Sequence, residues 1–135
     1  MIQQSAALLS IYGRRVPGRV VAKFPVQARW SENSTGKEVV VSGDTESIGP
    51  ANAHVYLRML PPVGSVIRLE IAAEQGPLVE VLAEVLRVER DPAQPLAALS
   101  IIDGQQKWEE IVWESALLLS TQRGNAEEDE EEFLN

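Results

Sequence analysis

Apolar residues recur along this chain at the spacing of β-strands, in short runs that turn-forming residues separate. Between Val66 and Ile71 the apolar side chains alternate with Arg68 and Glu70, which is typical of a strand with one buried face. The polar residues from Gly43 to Glu46 are expected to form a turn that interrupts the second run. The pattern predicts six strands, at Val20 to Trp30, Glu38 to Ser42, Ala53 to Leu57, Val66 to Ile71, Leu78 to Arg90 and Leu96 to Ile102.

The fifth run, Leu78 to Arg90, changes phase partway along its length. Alternate residues from Val79 to Val85 share one face, and Leu86 and Val88 then continue that face with the opposite parity. A β-bulge near Val85 accounts for the change, because one extra residue shifts the alternation of a strand. A long, bent strand of this kind suits the corner of a closed sheet.

After the last strand the apolar period becomes helical. Asp103 is the predicted N-cap, with Gln106 three residues further on. Six antiparallel strands followed by a helix predict an all-β dominated fold, a small six-stranded antiparallel β-barrel with a C-terminal α-helix. We expect Trp108 and Trp113 to pack the helix against the barrel. The predicted helical face consists of Trp108, Ile111, Val112, Ser115 and Leu119.

Length and composition limit the chain to one compact domain. Its 135 residues are 44% hydrophobic, which is enough for one core and too little for two. The chain has no cysteine, so it can form neither disulfides nor thiolate metal sites. Its first residues do not resemble a secretory signal, and no stretch approaches the ~18 apolar residues of a membrane span. We therefore expect a cytoplasmic protein.

Charge is distributed unevenly along the sequence. The first 31 residues carry five basic side chains and no acidic one, and three of the five lie between Gly13 and Arg19. The formal net charge is −8, but six of the acidic residues form the run Glu127 to Glu132, which is expected to be a solvated tail. A basic arm requires an anion. Because the chain as a whole is acidic, a small anion held at short range fits better than DNA.

Two segments of the sequence resemble PilZ domains. The run Arg15-Val16-Pro17-Gly18-Arg19 has the RxxxR spacing of that family, and the following residues to Val26 resemble its arginine-led first strand with a late Pro-Val. The stretches Thr45 to Val55 and Leu60 to Leu69 resemble the family's second turn and the strand after it. The similarity extends from about Gly13 to Ile102. It implies a six-stranded barrel that binds cyclic di-GMP, a bacterial second messenger, and passes the signal to a protein partner.

The arginines suit that ligand chemically. A cyclic dinucleotide presents two phosphates and two guanine faces, and a guanidinium can bond to either in bidentate fashion or stack on a base. The resemblance therefore implies that Arg15 and Arg19 hold the ligand and that Arg14 assists them. No cofactor is expected beside this ligand.

The family's second motif, D/NxSxxG, is altered in this sequence. Aligning Ala53 and Val55 with the family pattern places Ser47, Gly49 and Asn52 at the three motif positions. Ser47 replaces an acceptor for guanine, Gly49 lacks a hydroxyl, and Asn52 adds a side chain where glycine is usual. Asn tolerates the left-handed backbone that glycine often supplies, so the turn itself can persist. Asp44 could substitute for the missing acceptor or could simply shape the turn.

Several alternatives remain open at this point. The first is a degenerate PilZ-like adaptor that binds no nucleotide. The second is that Arg14, Arg15 and Arg19 form a solvated arm, which can pair with the acidic tail. An RNA-binding role has little support, because few aromatic residues accompany the arm.

An enzyme is not expected. The sequence has one histidine, His54, which is predicted to be an ordinary strand residue, and it has no phosphate-binding glycine loop. The predicted domains are an N-terminal arm at 1–12, a PilZ-like barrel with its helix at 13–120 and a disordered acidic tail at 121–135.

Overall fold

A computed structural model describes residues 18–74 and 76–121 of the chain. Within these residues the strands precede a helix, and no helix is both long enough and apolar enough to span a bilayer. The strands are β1 (Val20–Val21), β2 (Pro25–Ser31), β3 (Glu38–Ile48), β4 (Asn52–Leu57), β5 (Val66–Ala72), β6 (Leu78–Glu89) and β7 (Leu96–Asp103).

The strands form one antiparallel sheet in the order β1-β3-β2-β5-β6-β7-β4, and β4 also pairs with β3. This last pairing closes six strands into a barrel, and β1 adds a short seventh strand beside β3. The predicted six-stranded antiparallel barrel is therefore confirmed, with β1 as an addition. Closure removes most of the exposed strand edges that an open sheet would present.

The core fills the inside of the barrel. Alternate residues of β5, namely Ile67, Leu69 and Ile71, are buried, as the sequence pattern predicted. Each large aliphatic side chain buried in this way contributes about 1.5–3 kcal/mol to stability. The same alternation puts charged side chains on the outside, where Arg68 pairs with Glu80 at 2.9 Å.

The sequence predicted one continuous first strand, Val20 to Trp30. That prediction is wrong, because the chain leaves the sheet between β1 and β2. The side chain of Thr45 fixes this break. Its hydroxyl accepts a hydrogen bond from the Phe24 N–H at 2.8 Å and donates one to the Ala22 carbonyl at 2.6 Å. The buried hydroxyl thus pairs with two backbone groups that lack their usual partners in a strand.

The predicted interruption at Gly43 to Glu46 is also wrong, because β3 runs through it without a turn. A glycine is needed at position 43, where a Cβ atom would lie 1.9 Å from the carbonyl oxygen of Tyr56 on β4. The register shifts between Thr45 and Ser47, so Glu46 is the extra residue of a β-bulge. The close approach of β3 to β4 at Gly43 and the bulge at Glu46, rather than a turn, explain the polar residues from Gly43 to Glu46.

The bulge predicted near Val85 is confirmed. Val85 pairs with Leu99 and Arg87 pairs with Ala98, which leaves Leu86 as the extra residue on β6. The sequence pattern predicted that Leu86 continues the buried face. That prediction is wrong, because the side chain of Leu86 is 53% exposed. Val88 is partly buried against the core, so the inward alternation resumes after the bulge.

The helix α1 occupies residues 105–121 of the described chain and contains a π-helical turn at Trp108–Trp113. The predicted N-cap is wrong, because Asp103 ends β7 and Gly104 occupies the cap with a φ of 85°. Glycine suits that left-handed backbone, and a Cβ at position 104 would lie 2.9 Å from the side chain of Val81.

The π turn widens the buried face of α1 beyond the predicted one. Trp108 and Trp113 are both buried in the core, which confirms their predicted packing against the barrel. Ile111 and Leu119 are partly buried, and Ser115 is not among the buried residues. The residues of α1 that are buried are Trp108, Val112, Trp113, Ala116 and Leu117.

Candidate anion-binding site at one end of the barrel

The described site residues meet where β3 connects to β4. Ser47 lies near the end of β3, Gly49 lies in the connection, and Asn52 begins β4. Arg19 immediately precedes β1, whose pairing with β3 brings it to this connection. The other two predicted residues, Arg14 and Arg15, lie outside the described residues.

The guanidinium of Arg19 is bound to both motif residues that carry side chains. Its Nη1 donates a hydrogen bond to Oγ of Ser47 at 3.0 Å, and its Nη2 donates one to Oδ1 of Asn52. Ser47 is 2% exposed, so its hydroxyl forms a fixed base for the arginine. These two bonds take two of the five N–H donors of a guanidinium.

The side chain of Asn52 lies against the backbone of Gly49. A Cβ atom on Gly49 would lie 2.4 Å from Oδ1 of Asn52, so the asparagine amide occupies the space that a side chain at position 49 would take. The Gly49 N–H also donates to the Asn52 carbonyl at 2.8 Å, which closes a tight turn. The amide of Asn52 thus lies where a side chain at position 49 would be.

Trp108 on α1 supports the connection between β3 and β4 through a hydrogen bond. Its Nε1 donates to the Gly49 carbonyl at 2.9 Å, and its side chain is fully buried. The Ile101 N–H donates to the carbonyl of Ala51 at 2.9 Å from β7. Sequence reasoning assigned Trp108 to helix packing alone, and no local signal distinguishes an indole that also binds a distant carbonyl.

His54 lies beside Ser47 in the register of β3 and β4, and its Nδ1 is 3.7 Å from Oε1 of Glu46. Burial lowers the pKa of His54 below its ordinary value of 6.5, and the positive charges of Arg19 and Arg87 lower it further. Glu46 opposes that shift without reversing it. At neutral pH His54 is therefore mainly uncharged, and among the described residues discussed for this turn Arg19 carries the positive charge.

Asp44 lies in a neighbouring groove. It pairs with Tyr56 across β3 and β4 and lines a groove of about 740 Å³ together with Lys23 and Arg58. Arg19 is not among the residues that line this groove. The described residues contain no group of three or more potential metal-ligating side chains.

No protein-family model and no curated protein matches the sequence. The fold is nevertheless similar to solved structures. The Bacillus subtilis inhibitor of motility MotI/DgrA superposes with a TM-score of 0.54 at 22% identity, over 84% of this chain and 52% of that protein. YcgR from Escherichia coli, in complex with c-di-GMP, gives a TM-score of 0.57 at 12% identity, over 87% of this chain and 50% of YcgR.

The isolated PilZ domain of Escherichia coli YcgR, also with c-di-GMP, gives a TM-score of 0.53 at 13% identity. The match covers 87% of this chain and 98% of that domain. This chain therefore spans about half the length of MotI/DgrA and of YcgR, and nearly the whole of a separate PilZ domain. At these identities the likeness concerns the fold, and the chain has the fold of a PilZ domain.

Proposed function

We propose that this chain is a receptor for cyclic di-GMP that relays ligand binding to a protein partner in the bacterial cytoplasm, without enzymatic activity. The observation that carries the proposal is the placement of Arg19 on Ser47 and Asn52. This contact supports the proposal, because it joins the last arginine of the RxxxR run to two residues of the altered turn. The structural neighbour YcgR supports the proposal, because it is in complex with this ligand.

The remaining donors of Arg19 suit a phosphate or the O6 and N7 atoms of guanine. Arg15 precedes Arg19 by four residues, so its Cα lies at most about 14 Å away along an extended chain. A chain of that length is short enough for Arg14 and Arg15 to reach the same ligand. In the free protein, Ser47 and Asn52 hold the guanidinium of Arg19 at this turn.

Calorimetric titration with cyclic di-GMP tests the proposal directly. Arg19→Ala removes a charged donor to the ligand and should cost roughly 1.5–3 kcal/mol, which is about a ten- to hundredfold loss of affinity. Arg15→Ala should weaken binding similarly. Arg29→Ala is a matched control, because Arg29 bonds to Gln27 on the barrel wall and should leave the affinity unchanged. The absence of heat at high micromolar ligand, with folded protein, would rule out the receptor.

The altered turn gives specific support to a second candidate, an adaptor that binds no nucleotide. Ser47 offers no carboxylate for the guanine edge, and Asn52 engages Arg19 within the protein. An adaptor would keep the barrel and its protein partner but would show no binding in the same titration.

Restoring the family pattern tests the turn separately. The triple variant Ser47→Asp, Gly49→Ser and Asn52→Gly supplies a guanine acceptor and clears the path of the ligand, so it should bind more tightly than the parent. Gly49→Ser alone should strain the turn, because its Cβ meets Asn52, whereas combining it with Asn52→Gly should relieve the strain. Equal affinity of parent and triple variant would show that the ligand lies elsewhere.

A further inference from the structure

His54 lies on the outer wall of the barrel, beside the turn that binds Arg19. Its neighbours on β4, Ala53 and Val55, are buried in the core, so the imidazole points outward. His54 pairs with Ser47 of β3, whose hydroxyl accepts the hydrogen bond from Arg19 at 3.0 Å. Side chains that face each other in an antiparallel pair have Cβ atoms about 4.5–5.5 Å apart. An anion held by Arg19 would therefore lie beside the imidazole, which a ligand can reach because its side chain is 23% exposed.

Four charged side chains act on His54, two positive and two negative. They are Arg19, Glu46 on β3, and Arg87 and Glu89 on β6. Arg87 donates a hydrogen bond to Glu89 at 2.6 Å. Between β4 and β6, β7 presents the uncharged Ala98, which pairs with both His54 and Arg87. Because the four charges balance in number, one bound anion would leave negative charge in excess around the imidazole.

The two ring nitrogens of His54 have different surroundings. Nδ1 lies 3.7 Å from Oε1 of Glu46, whereas Nε2 has no hydrogen-bond partner among the described residues. A protonated imidazole donates hydrogen bonds from both nitrogens. Protonated His54 could therefore keep Glu46 on one side of the ring and offer its second N–H to an anion.

We propose that His54 is a further ligand contact of this site and takes up a proton when the anion binds, so that ligand affinity depends on pH. The inference rests on the proposed binding of cyclic di-GMP at Arg19 and adds a regulation of that site. A negative charge beside a histidine favours its charged form. Because linkage is reciprocal, protonation of His54 should favour the ligand to the same extent.

The direction of the pH dependence follows from the charges of the free protein. Burial lowers the pKa of His54, Arg19 and Arg87 lower it further, and Glu46 and Glu89 oppose the shift. A bound phosphate would offset the charge of Arg19, so the pKa of His54 should be higher in the complex than in the free protein. Affinity should therefore be lowest where His54 is neutral in both states. It should increase as the pH falls through the pKa of the complex.

NMR titration of the histidine ring tests the inference in the full-length chain, which has a single histidine. Saturation with cyclic di-GMP should move the midpoint of the His54 titration to higher pH. Val66→His supplies a matched control, because Val66 is 51% exposed on β5 and pairs with Glu84, so this histidine would also lie beside a carboxylate. Its midpoint should not move. An unmoved His54 midpoint in protein that binds the ligand, or equal shifts at both histidines, would overturn the inference.

Calorimetry measures the consequence for binding. The affinity for cyclic di-GMP should increase about three- to tenfold between pH 7.5 and pH 5.5. Neither the phosphodiesters nor the guanines of the ligand titrate in this range, so the protein must take up the proton. Binding heats should accordingly differ between two buffers of different ionisation enthalpy. His54→Gln should make the affinity equal at the two pH values and the heat equal in the two buffers.

Glu46→Gln identifies the group that takes up the proton. This variant removes a carboxylate that favours the charged form of His54, so the increase in affinity should persist but shift to lower pH. Loss of proton uptake in Glu46→Gln, with uptake retained in His54→Gln, would assign the proton to Glu46 and refute the inference. Binding with a pH-independent affinity would refute the inference and leave the receptor intact. The absence of binding at either pH would refute both.

Discussion

The two halves of β3 differ in how completely their backbone is paired. From Gly43 to Ile48 the strand has neighbours on both sides, and the buried residues Thr45 and Ser47 bind groups from other parts of the chain. From Glu38 to Ser42 it has one described neighbour. The polar half, which resembles a turn in sequence, is therefore the more constrained one, and the valine-rich half is the more open. Pairing follows from the position of a segment in the barrel rather than from its strand propensity.

Of the changes that test this comparison, adding a methyl group at Gly43 should reduce the free energy of unfolding most. The Cβ of Gly43→Ala would lie 1.9 Å from the Tyr56 carbonyl oxygen, so β3 and β4 would have to separate. We expect a loss of about 3 kcal/mol in the free energy of unfolding, measured by urea denaturation. The adjacent Ser42→Ala, in the half with one neighbour, should change it by less than about 0.5 kcal/mol. Similar midpoints for both variants would show that the two halves are equally constrained.

Removing the hydroxyl of Thr45 should have the next largest effect. Thr45→Val keeps the shape of the side chain but leaves the Phe24 N–H and the Ala22 carbonyl without their partner. The expected cost is about 2 kcal/mol in urea denaturation. Thr45→Ser keeps the hydroxyl and should recover most of the stability. A Thr45→Ser variant as unstable as Thr45→Val would assign the effect to packing instead.

The pH dependence of stability should show a smaller contribution from His54, which faces the constrained half. Because the pKa of His54 is lowered in the folded state, the unfolded chain binds the proton first as the pH falls below about 6.5. The contribution of His54 to the free energy of unfolding should therefore be fully present above that pH. It should decrease as the pH falls toward the folded-state pKa. Thermal melts between pH 7.5 and 5.5 should show a shallower decrease for His54→Gln. An unchanged slope would assign the decrease to carboxylates.

Deleting the acidic tail after Arg123 should have the smallest effect on stability. The tail lies outside the described residues, and its six consecutive acidic side chains are predicted to remain solvated. The melting temperature should be nearly unchanged, and a large decrease would show that the tail is part of the fold. If the tail competes for Arg14, Arg15 and Arg19, its deletion should strengthen ligand binding most at low salt. Equal affinities at two ionic strengths would exclude such competition.

Alternation of side chains along the sequence was sufficient to predict the barrel, most strand positions and a bulge near Val85. It works because the two faces of a strand differ in burial, which is a local property of the sequence. The helix also followed from the apolar period, although that period did not include Trp113, whose packing was expected separately. The RxxxR spacing and the altered turn also identified Arg19, Ser47, Gly49 and Asn52 as candidate site residues, which the structure brings together.

Only the tertiary structure decided which backbone groups pair and which atoms approach closely. Gly43 fits a turn until β4 is placed against it, and Gly104 rather than Asp103 is the N-cap because β7 extends through Asp103. The position of the Asn52 amide against Gly49 likewise depends on a contact that the linear sequence does not show. These outcomes depend on contacts between residues far apart in sequence, whereas local periodicity reports only which side of an element is buried.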